Sequence, residues 1–334
     1  MSSRFDIGNS QEYALGQMNY WNQVKESGGF DVEHISVPQG TCGLMPYDCE
    51  NERIRYPNRV LVNLYARLGL HRYNLSEGTN LEFHHLKKFN RTMNYISSYR
   101  ITLVASDPAT TSLVNFQVGV SEQAYGRLNL MVFVARPQAD RPHGNEVVRP
   151  LGFTNDPFKP DACDDNGFPF WPTDFDDTKR FHLLKESELQ GNDWIRLYLE
   201  LALCANDRNI PESHVSQLQI VRVAKETFED VDVINANFYI TFKGLPVARV
   251  GEDGEHVERK VIIRRYVDPS TGYLILMGGF GFSVGEDTSE RHMTRRRTLE
   301  EAYAAFDAEQ SLRPTTSPCP AIHISDYWKN LGAQ

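Results

Sequence analysis

The residues best equipped for chemistry in this 334-residue chain are few and scattered. His84-His85 offers two adjacent imidazoles, the commonest side chains for binding late transition metals. On a strand, neighbouring side chains point to opposite faces, so the pair is expected to stand apart, each ring exposed or half-buried, with no shared metal. Seven aspartates fall between Asp156 and Asp177. Aligning Gly167 with the glycine of a calcium loop puts Ala162 at the first ligand position and Thr173 at the twelfth, so that pattern fails and a solvated acidic loop is expected. Gly278-Gly279-Phe280-Gly281-Phe282 follows a strand pattern, but no Lys-Ser/Thr pair and no helix follow it, so flexible strand-end glycines are expected in place of a phosphate loop. Cys42, Cys49, Cys163, Cys204 and Cys319 include no CxxC pair, which argues against zinc and thioredoxin-type sites and for reduced, mostly buried thiols. No Gly-x-Ser-x-Gly elbow occurs. No catalytic residue, cofactor ligand or metal ligand is expected.

One basic run stands out: Arg291, Arg295, Arg296 and Arg297, interrupted by His292, Met293 and Thr294. It reads equally as a nuclear-import patch or as a solvated helix face paired with Glu300 and Glu301.

These residues must be carried by elements that the apolar spacing marks out. Tyr13, Met18, Trp21 and Val24 suggest a helix over 10–27, stopped by Gly28-Gly29. Residues 30–56 read as irregular, punctuated by Pro38, Gly40, Gly43 and Pro46. After Pro57, the positions Val60, Leu61, Leu64, Tyr65 and Leu68 predict an amphipathic helix. Four alternating segments then predict strands, on Leu81/Phe83, Tyr99/Ile101/Leu103, Phe116/Val118/Val120 and Leu128/Leu130/Val132/Val134. Each is expected to bury one face and wet the other.

A Pro- and Asp-rich connector over 139–190 separates this segment from a second with the same order. There, Trp194, Leu197, Tyr198 and Leu201 mark a helix, and strands are predicted at 217–224, 235–243, 260–267 and 273–278. NLYARLGLHRYN (63–74) matches RLYLELALCAND (196–207), and YRITLVASD (99–107) matches FYITFKGLP (238–246). Gly126-Arg127-Leu128-Asn129-Leu130-Met131 likewise matches Gly272-Tyr273-Leu274-Ile275-Leu276-Met277. The shared order points to a duplication.

The expected fold is therefore α+β: an N-terminal helix and irregular arm (1–56), a first module (57–138), the connector (139–190), a second module (191–285), and a C-terminal helix with an extended tail (286–334). Each module lays one helix on a four-stranded antiparallel sheet, an arrangement that resembles the cystatin/monellin fold. In the last segment Met293, Leu299, Tyr303 and Phe306 suit a docking helix or short coiled coil, and Ile322, Ile324, Tyr327 and Trp328 anchor the tail. Inhibitory cystatins present a Gln-x-Val-x-Gly wedge. Gln117-Val118-Gly119-Val120 has the wrong spacing and falls inside a predicted strand, so inhibition of cysteine proteases is disfavoured.

Composition bounds the function. Forty-four acidic against 35 basic residues give a net charge of −9, which disfavours direct nucleic-acid binding. No run of about 18 apolar residues exists to cross a membrane. The N-terminal MSSRFDIGNSQEYALG lacks the apolar core of a secretory signal, so a cytosolic or nuclear protein is expected.

The strings YWNQVKESGGFDVE (20–33), NLYARLGLHRYN, FQVGVSEQAYGRLNLMVFVARPQ (116–138) and LELALCANDRN (199–209) resemble the plant male-sterile-five family. The resemblance implies a cystatin/monellin-like fold and a role in reproductive development, male fertility through early meiosis in pollen mother cells, with some members linked to embryo development. It brings no established catalytic residues. It implies a non-enzymatic protein whose partners are other proteins.

Overall fold

A computed structural model describes residues 8–39, 43–51, 56–140, 169–191, 193–208, 210–226, 234–245 and 257–280. Helix α1 (Gly8–Glu26) leads through an arm to strand β1 (Met45–Asp48) and helix α2 (Arg59–Glu77), followed by β2 (Glu82–Arg91), β3 (Ser98–Asp107), β4 (Ser112–Glu122) and β5 (Leu128–Pro137). The second part runs β6 (Phe181–Leu183), the short α3 (Glu186–Gln190), α4 (Asp193–Asn206), the short α5 (Glu212–Ser216), β7 (Gln219–Glu226), β8 (Ala236–Lys243), β9 (Arg259–Val267) and β10 (Leu274–Phe280).

Local chemistry explains the joints. Helix α2 ends where Gly78 takes a left-handed conformation (φ 65°) and its N–H returns to the Asn74 carbonyl. The Asn74 side chain then bonds both the N–H and the C=O of Leu81, at 2.9 Å each, and so turns the chain into β2.

The ten strands of the described residues form one antiparallel sheet in the order β1-β2-β3-β4-β5-β10-β9-β8-β7-β6. The two halves therefore share a single sheet, joined at β5·β10, where the sequence reading expects four strands apiece. Each half has a fifth strand on its outer edge, β1 or β6. At the seam Leu276 lies opposite Leu130, Leu274 opposite Val132 and Gly278 opposite Leu128. Gly278 is needed there, since a Cβ would sit 2.8 Å from the Leu128 side chain. Gly278 and Gly279 thus lie in the last three residues of β10, paired with Ile263 and Ile262; Gly281 and Phe282 fall outside the described residues.

Helices α2 and α4 lie side by side on one face of the sheet. One continuous core joins Leu61, Leu64, Tyr65 and Leu68 of α2 with Leu197, Tyr198 and Leu201 of α4 and the inward residues of both sets of strands. Above the seam Arg67 meets Glu200 at 3.3 Å.

The opposite face is covered too, which corrects the one-face expectation. In the first half the arm after α1 crosses it. Asn90 donates to the carbonyls of Gly29 and Phe30, and Lys88 bonds Asp31 and Glu33 at 2.7 and 2.6 Å. Strand β4 accordingly buries consecutive residues from Phe116 to Glu122. In the second half Trp171 and Phe175 pack on Tyr239 and Ile262. Guanidinium and ammonium groups hold both rings, Arg222 over Phe175 and Lys260 over Trp171. Over much of β3 and β4 burial does not alternate, because both faces find cover.

Two further expectations are corrected. Residues 30–56 are not all irregular, since 45–48 form β1, and the 139–190 connector contains β6 and α3. The acidic run up to Phe168, the expected helix at 287–310 and the 315–328 tail lie outside the described residues. No helix among the described residues is long and apolar enough to cross a membrane.

Candidate functional site

Three groups able to do acid–base or nucleophilic work, Cys49, Cys204 and His71, are held out of reach. Burial pushes the Cys49 thiol up to about 12, with neighbouring Asp48 adding to it, and burial does the same at Cys204, helped by Glu200 and Asp207. Neither thiol supplies thiolate at neutral pH. His71 is pulled down to about 3 by burial and by the Arg265 guanidinium. It lies stacked on Trp194 with Nε2 2.8 Å from the Tyr198 hydroxyl, a neutral, part-buried residue bridging α2 and α4. Glu122 is buried where the halves meet. It accepts from Tyr65 Oη at 2.8 Å, the Ser97 N–H at 2.9 Å and Arg208 at 2.6 Å, and all its partners are structural. Among the described residues no group of three His, Cys, Asp or Glu side chains is placed to hold a metal.

Gln117-Val118-Gly119-Val120 lies mid-strand in β4, with Gln117 and Val118 fully buried, and presents no wedge to a protease. His84 and His85 do not point apart. A β-bulge between Phe83 and His85 breaks the alternation and brings the two Nδ1 atoms within 2.7 Å. Arg291, Arg295, Arg296 and Arg297 lie outside the described residues.

What the described surface offers is a presented helix. Helix α1 is anchored along one side: Tyr20 Oη accepts from the Leu44 N–H at 2.7 Å, and Tyr20 and Val24 pack with Val32, Ile35 and Leu44. Gly28 and Gly29, both at positive φ (63° and 76°), make the turn that lays the arm back over the sheet. A Cβ on Gly29 would press on the Arg100 side chain at 3.1 Å, so the same turn also needs the space.

Elsewhere on α1, Leu15, Met18 and Trp21 are 59%, 63% and 39% exposed. At 100° per residue these three occupy about 120° of the helix surface; Leu15 and Met18 face away from Tyr20 and Val24, and Trp21 stands at the edge with its ring 5.2 Å from that of Tyr20. Isolated exposed apolar residues are ordinary, but Leu15 and Met18 stand one turn apart (i, i+3) on a docked helix, a spacing found among the anchors by which helices enter partner grooves. The sequence reading groups Tyr13, Met18, Trp21 and Val24 as one face. The signal it misses is that Met18 lies about 120° around the helix from Val24.

Comparison with known proteins places this architecture. Residues 168–276 match the family described as Protein MS5. The UPF0725 protein At3g19520 of Arabidopsis thaliana is 43% identical over 289 residues, covering 82% of this chain and 91% of the relative. UPF0725 protein At1g02770 of the same plant is 43% identical over 284 residues, covering 82% and 86%. Among solved structures, that of MS5 from Brassica napus matches with a TM-score of 0.53 at 32% identity, covering 66% of this chain and 97% of that one. With the same fold and this extent of identity across nearly the full length of its relatives, the chain belongs to the plant MS5 family.

Proposed function

We propose that this chain is a non-enzymatic interaction protein of plant reproductive development, acting in the nucleus in male fertility through early meiosis (prophase I) of pollen mother cells. Membership of the MS5 family supports the reproductive role. The α1 stripe of Leu15, Met18 and Trp21 supports the interaction reading and is the observation that carries it. The unreactive thiols and the neutral, part-buried His71 fit a molecule whose polar groups serve its architecture. The partner is a protein with an apolar groove for one helix face, and Arg291, Arg295, Arg296 and Arg297 serve as the import signal.

The proposal extends to construction: two cystatin/monellin-like modules arranged about a local twofold axis. Residues that align between the halves meet each other, Arg67 with Glu200 on the helices and Leu130 with Leu276 at the sheet seam. Register shifts also recur at aligned places, between Leu86 and Lys88 in β2 and between Ile220 and Arg222 in β7. Self-aligned contacts are what an isologous interface produces.

The test uses tagged full-length protein in plants lacking the endogenous gene. The wild type should enter pollen-mother-cell nuclei and restore normal meiosis. Leu15→Glu with Met18→Glu should leave the far-ultraviolet spectrum and thermal midpoint unchanged while losing the captured partners and fertility. Normal meiosis in the null plant would sink the role, and unchanged partner capture by the double variant would sink the α1 surface.

A further inference from the structure

We propose that Thr173 is a phosphorylation site for a kinase that reads acidic substrates, and that Arg222 receives the phosphate and fastens the Trp171–Phe175 cover to the sheet. Trp171 and Phe175 are buried, with their rings 5.6 and 5.7 Å from that of Tyr239, so the chain between them is pinned at both ends. It bends outward at Thr173, which is exposed and whose hydroxyl meets the Asp174 carboxylate at 3.4 Å. Asp174, Asp176 and Asp177 are exposed as well and follow the hydroxyl at the first, third and fourth positions. Kinases discriminate among substrates by the charges that flank the acceptor, and carboxylates at these places suit a basic substrate groove.

A second, independent observation supplies the receiver. Arg222 of β7 is exposed and lays its guanidinium carbon 4.6 Å from the centre of the Phe175 ring. Among the described residues it joins no ion pair, whereas Arg180 is bound to Glu226 at 2.5 Å. Arg222 lies opposite Thr241 on β8, and Thr241 opposite Lys260 on β9, whose Nζ stands 5.4 Å from the Trp171 ring. Two cations rooted about 10 Å apart therefore flank the pinned segment. Of the two, the guanidinium has the planar fork that matches phosphate oxygens.

The modification joins Thr173 Oγ1 to the γ-phosphorus of a nucleoside triphosphate. The bond from that phosphorus to the β,γ-bridging oxygen breaks, the diphosphate leaves, and the hydroxyl proton passes to the base of the kinase. The product carries a charge of about −1.5 to −2 at pH 7 and three strong acceptor oxygens. Arg222 already rests on a ring two residues from the acceptor, so it bonds the phosphate while keeping its place on Phe175. Phosphorylation thereby tightens the cover over Tyr239 and Ile262. The site belongs to the second half and is independent of the α1 reading.

The test treats native full-length protein with casein kinase II and magnesium ATP and maps phosphate by tandem mass spectrometry. Thr173 should be modified, and Asp176→Asn with Asp177→Asn should slow its modification about 10-fold or more. Hydrogen exchange of the amides over 173–177 should then be about 5- to 10-fold slower in the phosphorylated protein than in the unmodified one. Arg222→Gln should accept phosphate on Thr173 to the same extent and show no such slowing. Absence of phosphate from Thr173, or an unchanged rate in the double asparagine variant, overturns the kinase site. Exchange that does not slow in the wild type, or slows equally in Arg222→Gln, overturns the part given to Arg222.

Discussion

At the scale of single residues, the chain places ionisable groups in its interior and neutralises them by pairing or by displaced titration. His71 is the clearest case. In the folded chain it is held near pKa 3, against an ordinary histidine value near 6.5 once unfolded, chiefly by burial and then by Arg265. Between those values the unfolded chain binds the extra proton. Stability from this group is therefore complete above about pH 6.5 and is lost as pH falls toward 3, by up to about 5 kcal/mol. Urea unfolding measured from pH 7.5 to 4.5 should show this loss, and His71→Gln should flatten the profile while lowering stability at pH 7. An equally steep profile in the variant would assign the acid sensitivity to other groups. The setting of His71 was not legible, because a lone histidine in an amphipathic run carries no mark of the Trp194 and Tyr198 rings that pack on it from another helix. The His84–His85 contact was likewise hidden, since alternation is a rule about regular strands and a bulge is set by pairing with β3.

At the scale of elements, close approach decides more than propensity does. Gly69 lies in the interior of α2, where alanine would ordinarily add about 1 kcal/mol of helix stability. Here a Cβ would come within 2.3 Å of both Val118 methyl carbons on β4. Gly69→Ala should therefore destabilise the protein by about 1–3 kcal/mol, and adding Val118→Ala should recover part of that loss by clearing the clash. Chemical denaturation of the single and double variants checks the sign; stabilisation by Gly69→Ala alone would mean that α2 can lift from the sheet without cost. The helices and eight long strands were legible because each carries its own apolar period over 7 to 19 residues. The short β1, β6, α3 and α5 were not, since three to five residues hold too little period and owe their form to neighbours. The same limit explains α1: its spacing marks a helix, but which arc is buried depends on Leu44 and the arm that returns to cover it.

At the scale of the whole molecule, the two halves cannot be regarded as beads on a linker. Strands β5 and β10 pair through five register positions, α2 and α4 share one core, and Arg208, which follows α4, closes on Glu122 and the Tyr95 carbonyl of the first half. Removing one partner of such a buried pair costs about 3–5 kcal/mol, so separating the halves would expose both a charge and an apolar seam. Sequence comparison reveals the two similar segments but not their union, because pairing between β5 and β10 leaves no periodic trace in either. A shared sheet and core predict one cooperative unit. Ile240→Ala, in β8 of the second half, removes a fully buried side chain and should cost about 2–5 kcal/mol. If the halves unfold together, native-state hydrogen exchange in low urea should show amides of β3, in the first half, losing protection by the same free energy as amides of β8. Retained protection in β3 alongside loss in β8 would show instead that the seam opens first, and each half would then have to be stable with its β5 or β10 edge unpaired.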